Sequence, residues 1–270
     1  MPARDFQTLT LRHDPEVSLI TLQRPERRNA ISFEMIGELL AALEDCEHRF
    51  EHGQLRVLAL TGAGPAFCSG MDLETLQSLT TSSEARQRED SRRMAELFLR
   101  LYRFPAPTIA AVNGAAVAGG CGLASVCDFT LAVPGAKFGY TEVKVGYMPA
   151  LVTVYLVRQI GEKRARDLLL TGRLIAAEQA LAWGMISEIA PPENLLPRAR
   201  ALAQELARNS PASLANTKRL MERLPLEGAL EKALERAAED NAAMRRTSDF
   251  REGIAAFLEK RPPAWQKETR

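Results

Sequence analysis

The first part of the chain alternates between the two periods that separate strands from helices. Residues 6–22 alternate in strand fashion around the polar stretch 13–16, which predicts a β-hairpin with its turn at 13–16. A helix is then predicted, because Ser32 can cap it and apolar residues recur at helical spacing up to residue 46. Gly53, just past the last of them, is a typical helix end.

Three strands are predicted next: residues 57–60, a continuous apolar run typical of a strand buried on both faces, residues 108–112, a second buried strand, and residues 129–133. Between the first two, residues 74–93 show weak periodicity and predict a mobile surface loop, leading into a helix that ends near residue 104. A short helix is predicted at 123–126. This strand–helix–strand order favours an α/β fold with a parallel or mixed sheet flanked by helices.

After about residue 190 the apolar positions follow only helical stripes, including a long helix predicted over residues 226–244. Such stripes need a covering surface, either this chain's own core or a neighbouring subunit. We therefore expect two parts, residues 1–192 with the mixed sheet and residues 193–270 with helices alone.

Composition excludes several classes of function. Lys and Arg number 35 against 34 Asp and Glu, so global charge offers no basis for binding nucleic acid or an anionic membrane. No apolar run is long enough to cross a bilayer, and the polar start is unlike a signal peptide. The four cysteines lack paired metal-ligand spacing and predict reduced thiols. We expect a soluble, cytoplasmic protein.

Two glycine-containing turns are candidate anion sites. Residues 66–73 and 113–122 each follow a buried strand and precede a predicted helix, where backbone amides can point at a ligand oxygen. A tight turn packed closely for structural reasons is the alternative for each. The chain lacks the P-loop, dinucleotide-binding and nucleophilic-serine motifs. His48 and His52 are four residues apart, but they fit a solvated helix end better than a metal pair, and no metal site is predicted.

A third candidate is Glu142, which lies in the apolar and aromatic segment 136–150. Such surroundings raise the pKa of a carboxyl group toward the value that a general acid/base needs at neutral pH. The alternatives are an ion-pair partner for Lys137 or Lys144 and a plain surface glutamate.

Taken together and in this order, these segments resemble the crotonase (enoyl-CoA hydratase/isomerase) superfamily. The resemblance also includes the loop 24–30 and the motifs at 169–172 and 180–186, so it covers nearly the whole chain. It implies a spiral of ββα units with a C-terminal helical trimerisation region, hence a homotrimer or hexamer. It also implies an acyl-CoA substrate, with coenzyme A as part of that substrate and no separate cofactor.

By motif position, the resemblance implies a catalytic glutamate, Glu142, and an oxyanion hole formed by the backbone amides of Met71 and Gly119. Two preorganised donors stabilise the enolate that forms when charge moves onto a thioester oxygen. The resemblance further implies that acyl-CoA is bound by residues of three segments: Ala30, Ser69, Gly70, Met71, Asp72, Leu73, Glu74, Gly119, Gly120 and Gly122.

One position departs from the family pattern. Typical hydratases of this family hold water between two glutamates, but Gly122 occupies the position of the first, and a glycine cannot activate water. Around Glu142 the chain is similar to methylglutaconyl-CoA-type hydratases, which favours hydration of an enoyl-CoA by a single glutamate. An enoyl-CoA isomerase, a decarboxylase and a non-catalytic acyl-CoA-binding protein are the alternatives. If the missing carboxylate limits water activation, Gly122→Glu is expected to raise hydration.

Overall fold

The computed structural model describes residues 5–223 and 229–264 and contains two β-sheets. Within these residues the strands are β1 (Leu9–Asp14), β2 (Glu16–Leu22), β3 (Leu55–Gly62), β4 (Ala66–Cys68), β5 (Thr108–Val112), β6 (Ala115–Val117), β7 (Phe129–Ala132), β8 (Lys137–Gly139), β9 (Ile175–Ala176) and β10 (Glu188–Ile189). The larger sheet has the order β1-β2-β3-β5-β7-β10 and the smaller one β4-β6-β8-β9. Both are mixed, since only β1 with β2 and β8 with β9 run antiparallel.

The α-helices of the described residues are α1 (Phe33–Glu51), α2 (Leu73–Leu79), α3 (Glu84–Tyr102), α4 (Gly119–Ser125), α5 (Ala150–Thr171), α6 (Ala177–Ala182), α7 (Leu195–Ala207), α8 (Pro211–Arg223), α9 (Ala229–Met244) and α10 (Ser248–Leu258). The backbone of α5 is interrupted at Gly161, where φ is 76° and ψ is 161°. Short 3₁₀ helices span Pro25–Arg27, Glu142–Val145 and Pro192–Asn194.

The apolar patterns place the buried strands and the first helix correctly. The three predicted strands correspond to β3, β5 and β7, although β7 ends at Ala132, and every residue of β5 is buried. Ser32 caps α1 by accepting a hydrogen bond from the Met35 amide at 3.2 Å. The mixed sheet flanked by helices that the sequence predicts is therefore confirmed.

The hairpin is tighter than predicted. Its strands pair as far as Asp14 opposite Val17, so His13 and Asp14 belong to β1 rather than to a turn. His13 is held there by Ser18, 2.7 Å from its Nδ1 atom, and by Asp45, 3.1 Å from its Nε2 atom. Side-chain pairing therefore extends the strand through residues whose polarity suggests a turn.

The predicted loop at residues 74–93 is wrong, because α2 and the first half of α3 occupy it. Asp72 and Ser83 cap these helices. The buried face of α3 begins with three polar residues, Gln87, Asp90 and Ser91, before it becomes apolar at Met94. A helix that buries polar side chains has no apolar period, which explains the error.

The C-terminal helices cover different surfaces of the chain. α7 packs on β3 and β5 of the larger sheet, whereas α9 lies against α3 and α5. α10 packs on the 3₁₀ helix Glu142–Val145. The long helix predicted from residue 226 is described from Ala229, and residues 226–228 lie outside the described part. The predicted boundary between two parts of the chain at residue 192 stays a prediction. Within the described residues, no helix is both long and apolar enough to span a membrane.

Candidate active site

The turn after β4 places the Met71 amide at the surface of a cavity. Gly70 has a φ of 91°, and a Cβ atom there would lie 2.8 Å from the Ala118 Cβ atom, so the position requires glycine. Hydrogen bonds of 2.8 Å hold the backbone on both sides of Met71: Ile31 N–H donates to Gly70 O, and Asp72 N–H donates to Ile31 O. The Met71 N–H group itself donates to no group in the described part of the chain.

The second turn joins β6 to α4 and exposes the Gly119 amide at the helix N-terminus. Ala118 adopts a φ of 51° and a ψ of −125°, a strained conformation for a residue with a Cβ atom. A Cβ atom on Gly120 would lie 2.2 Å from Cys68 O, so α4 packs directly on β4. Among the described groups the Gly119 N–H finds no acceptor, so it is available to a ligand.

These two turns touch each other. The point where a Cβ atom of Gly70 would lie is 3.0 Å from Val117 O and 3.5 Å from Gly119 N. Met71 and Gly119 both line one cavity of about 430 Å³. Two amides that are far apart in sequence are thereby brought to one wall, as the motif positions imply.

Glu142 lies in the same cavity, at the start of the 3₁₀ helix that follows β8. Its Oε2 atom is buried and has no hydrogen-bond partner among the described residues. This burial raises the pKa of Glu142 to about 7, an effect that a hydrogen bond from its own backbone amide partly opposes. The alternative of a surface ion pair is wrong, because Lys137 and Lys144 are exposed and neither pairs with Glu142.

Backbone contacts from α10 hold the helical turn that carries Glu142. A Cβ atom on Gly146 would lie 2.3 Å from Asp249 O, and one on Gly253 would lie 2.2 Å from Val145 O. Since side chains at these two glycines would separate the segments, they permit the 3₁₀ helix and α10 to touch backbone to backbone.

The predicted substrate-binding residues divide into two groups. Those that line the cavity are Ala30, Ser69, Met71, Asp72, Leu73 and Gly119. The remaining four shape or surround its wall without lining it: Gly70, Glu74, Gly120 and Gly122. Gly70 and Gly120 set the turns, and Glu74 is exposed and pairs with Arg27 at 2.9 Å. Binding of acyl-CoA by any of them stays a prediction.

Comparison with known proteins identifies the family. The sequence profile of the enoyl-CoA hydratase/isomerase family matches residues 12–268. The chain belongs to this family. A Thermus thermophilus protein named "Putative enoyl-CoA hydratase" is 49% identical over 92% of this chain and 96% of its own length. The 2,3-dehydroadipyl-CoA hydratase of Escherichia coli K12 is 35% identical over 94% and 97%, respectively.

Solved structures of the family share the fold. The crystal structure of an enoyl-CoA hydratase/isomerase from Xanthobacter autotrophicus Py2 superposes with a TM-score of 0.86 at 30% identity, covering 95% of this chain and 97% of that one. The enoyl-CoA hydratase of Bacillus halodurans gives 0.86 at 27% identity, over 93% and 100%. The predicted crotonase superfamily and its α/β fold with C-terminal helices are confirmed.

The family position of the first glutamate is filled by apolar side chains. A Cβ atom on Gly122 would lie 2.6 Å from Val152 Cγ1 and 2.9 Å from Phe98 Cζ, and both of these residues line the cavity. Gly122 therefore lies behind the cavity wall. The expectation that Gly122→Glu raises hydration must be corrected, because the new carboxyl group would have to displace two packed side chains.

Sequence reasoning missed a polar wall of the cavity, formed by Tyr147, Asn241 and Arg245. The last two come from α9 and the residue after it, in the region that the sequence assigns to assembly. A signal was present, since Asn241 and Arg245 continue the buried stripe of Leu234 and Ala238 at helical spacing. Polar residues in a buried stripe indicate either a network or a ligand.

Tyr140 and the two neighbouring histidines of α1 have structural roles. Tyr140, two residues before Glu142, is buried in the core and does not line the cavity. His48 and His52 stack at the exposed end of α1 with their ring centroids 4.1 Å apart. Across residues 5–223 and 229–264, no three His, Cys, Asp or Glu side chains gather as metal ligands would.

Proposed function

We propose that this protein adds water across the 2,3 double bond of an enoyl-CoA thioester, with Glu142 as its single acid/base. The observation that carries the proposal is a buried, unpaired carboxyl group in one cavity with two unbonded backbone amides. A pKa of about 7 leaves that carboxyl group able both to take and to return a proton at neutral pH.

The proposed reaction has two proton transfers. The carboxylate of Glu142 takes a proton from water as the hydroxyl oxygen bonds to C3, and the electron pair of the double bond moves toward the thioester oxygen. The N–H groups of Met71 and Gly119 stabilise that enolate; losing one donor in comparable sites costs about 3–4 kcal/mol. The carboxyl group then returns its proton to C2, which completes the addition of one water molecule.

The same reaction needs no cofactor beyond the coenzyme A of the substrate. Arg27 and Arg28 line the cavity and are exposed; Arg27 pairs with Glu74, so Arg28 supplies the positive charge that phosphate groups require. We therefore place the coenzyme A phosphates beside the loop that precedes Ala30. Assembly into a homotrimer or hexamer, which the family resemblance implies, is part of the proposal, and the exposed Leu220 and Met221 of α8 offer it an apolar surface.

An isomerase is the second candidate, and one observation favours it. Because apolar side chains fill the space at Gly122, no second glutamate faces Glu142 from that position, and a shift of the double bond requires only one acid/base carboxyl group. In that reaction Glu142 would remove a proton from C2 of a 3-enoyl-CoA and return it to C4.

Incubation with 2-enoyl- and 3-enoyl-CoA in heavy-oxygen water separates the two reactions. Product that gains heavy oxygen indicates hydration, whereas unchanged mass with a shifted double bond indicates isomerisation. Glu142→Gln is expected to lower turnover by roughly 10²–10⁴-fold while thioester binding persists. Full activity in this variant would exclude the proposed role of Glu142.

A further inference from the structure

The polar wall of the cavity belongs to a buried network that joins α3 to α9. Tyr147, Asn241 and Arg245 are 9%, 6% and 2% exposed. The Arg245 Nε–H group donates to the Tyr147 hydroxyl at 3.1 Å, and Ser91 Oγ–H donates to Asn241 Oδ1 at 2.8 Å. The Tyr147 hydroxyl in turn donates to the same Asn241 oxygen.

This chain of bonds fixes what the wall presents to the cavity. Because the Tyr147 hydroxyl accepts from Arg245, its own proton needs an acceptor, and Asn241 Oδ1 is that acceptor. The Asn241 Nδ2 amide is then left over, and it donates to no group among the described residues. The same holds for Arg245 Nη2, since its Nη1 atom is the one bonded to Gln87 O and paired with Asp90.

The two unbonded nitrogens, Asn241 Nδ2 and Arg245 Nη2, are not fully enclosed by the described residues, so each keeps some accessible surface. Both side chains line the cavity. The polar wall therefore offers hydrogen-bond donors, whereas the Asn241 oxygen is already used as an acceptor. It suits a ligand group that accepts hydrogen bonds and donates none. A carboxylate is such a group, and its two oxygens match adjacent amide and guanidinium donors.

The positive charge of Arg245 is not cancelled by Asp90 alone. Asp90 lies 2.6 Å from Arg245 Nη1, but it also interacts electrostatically with Arg86 and Arg93 on its own helix. One carboxylate is thus shared among three guanidinium groups. Glu89 lies on the same side of α3 but is exposed. The buried positive charge beside Asp90 therefore still favours binding of a second anion.

Apolar side chains also line this cavity, among them Leu76, Met94, Phe98 and Leu151. We propose that the polar wall binds a carboxylate at the far end of the acyl chain, so that the preferred substrates are coenzyme A thioesters of dicarboxylic acids. A plain alkyl tail would instead strip water from the two donors without replacing it. The inference rests on the proposed acyl-CoA function and adds the substrate class.

Binding of saturated thioesters tests this without requiring turnover. Glutaryl-, adipyl- and suberyl-CoA are each compared with the unsubstituted acyl-CoA of the same length by titration calorimetry. We expect at least one dicarboxylic thioester to bind about tenfold or more tightly than its partner. If every unsubstituted thioester binds as well or better, the proposal is overturned. If no acyl-CoA of either kind binds, the proposed acyl-CoA function fails first.

Two variants connect the preference to the wall. Asn241→Asp keeps the shape and the acceptor for Tyr147 but replaces the free donor with a second oxygen. It should remove most of the preference, by about tenfold, while unsubstituted thioesters bind as before. Arg245→Gln combined with Asp90→Asn removes both buried charges together, which avoids leaving one unpaired, and should have the same effect.

The control is Lys144→Gln, which removes an exposed positive charge beside Glu142 but outside the cavity lining. It should leave the ratio of the two affinities unchanged. Equal weakening of both thioester classes by Asn241→Asp would show that the network only supports the fold, and the carboxylate site would then be abandoned.

Discussion

Replacing the buried carboxyl group of Glu142 should stabilise the protein at high pH. Glutamine has nearly the same shape but cannot ionise, so Glu142→Gln removes the free-energy cost of holding a charge in the cavity wall. The pKa of Glu142 is raised from 4.5 to about 7 by burial. A pKa difference of that size corresponds to a free-energy cost of ionisation of at most about 3 kcal/mol.

The sign follows from proton binding. The folded state holds the proton of Glu142 more tightly than the unfolded state does, so its stabilising contribution is complete below pH 4.5 and is lost as the pH rises through about 7. The wild-type protein should therefore lose up to about 3 kcal/mol relative to Glu142→Gln between pH 5 and pH 8.5, and the variant should be the more stable one at the upper end.

Urea unfolding at fixed protein concentration measures this difference at both pH values. Glu26→Gln is the matched control, because Glu26 also borders the cavity but is exposed. The control should not change the pH dependence. Equal free energies of unfolding for Glu142→Gln and the wild-type protein at pH 8.5, after matching at pH 5, would refute the claim that this carboxyl group is held in an apolar environment.

Four further predictions concern the site and the backbone around it. Gly70→Ala should destabilise the fold by about 1–3 kcal/mol and reduce turnover, since it forces a side chain at positive φ against Ala118; thermal unfolding and kcat measure both. Gly122→Glu should lower Tm by several degrees without any gain in heavy-oxygen incorporation. Arg28→Ala should raise KM for acyl-CoA several-fold at unchanged kcat, and added salt should shrink the difference. Burial raises the pKa of Cys68 to about 12, so alkylation at pH 8 should require unfolding.

The site could be predicted in part because its backbone is encoded locally. The turns at Gly70 and Gly119 carry recognisable residues, and Glu142 stands out as a carboxyl group in an apolar segment. The buried strand β5 was bounded correctly because strands covered on both faces are largely apolar, and four of its five residues are. Local sequence was sufficient for these features.

The rest depends on contacts between distant segments. Asp90 and Ser91 are buried polar residues of α3 whose partners lie on α9 or just beyond it, about 150 residues later, so no local pattern identifies them as part of a helix. For the same reason the chain's own C-terminal helices could not be distinguished from an assembly surface. The side chains that fill the space at Gly122 are equally remote, since Phe98 and Val152 lie on α3 and α5.

The backbone contact between α10 and the 3₁₀ helix of Glu142 has a consequence for how members of this family can diverge. Exchange of the C-terminal helices between two homologues would replace the polar wall of the cavity and would also change the backbone contacts that hold Glu142. A chimaera joined near residue 192 should therefore change substrate preference and pH optimum together, because one swapped segment bears on both.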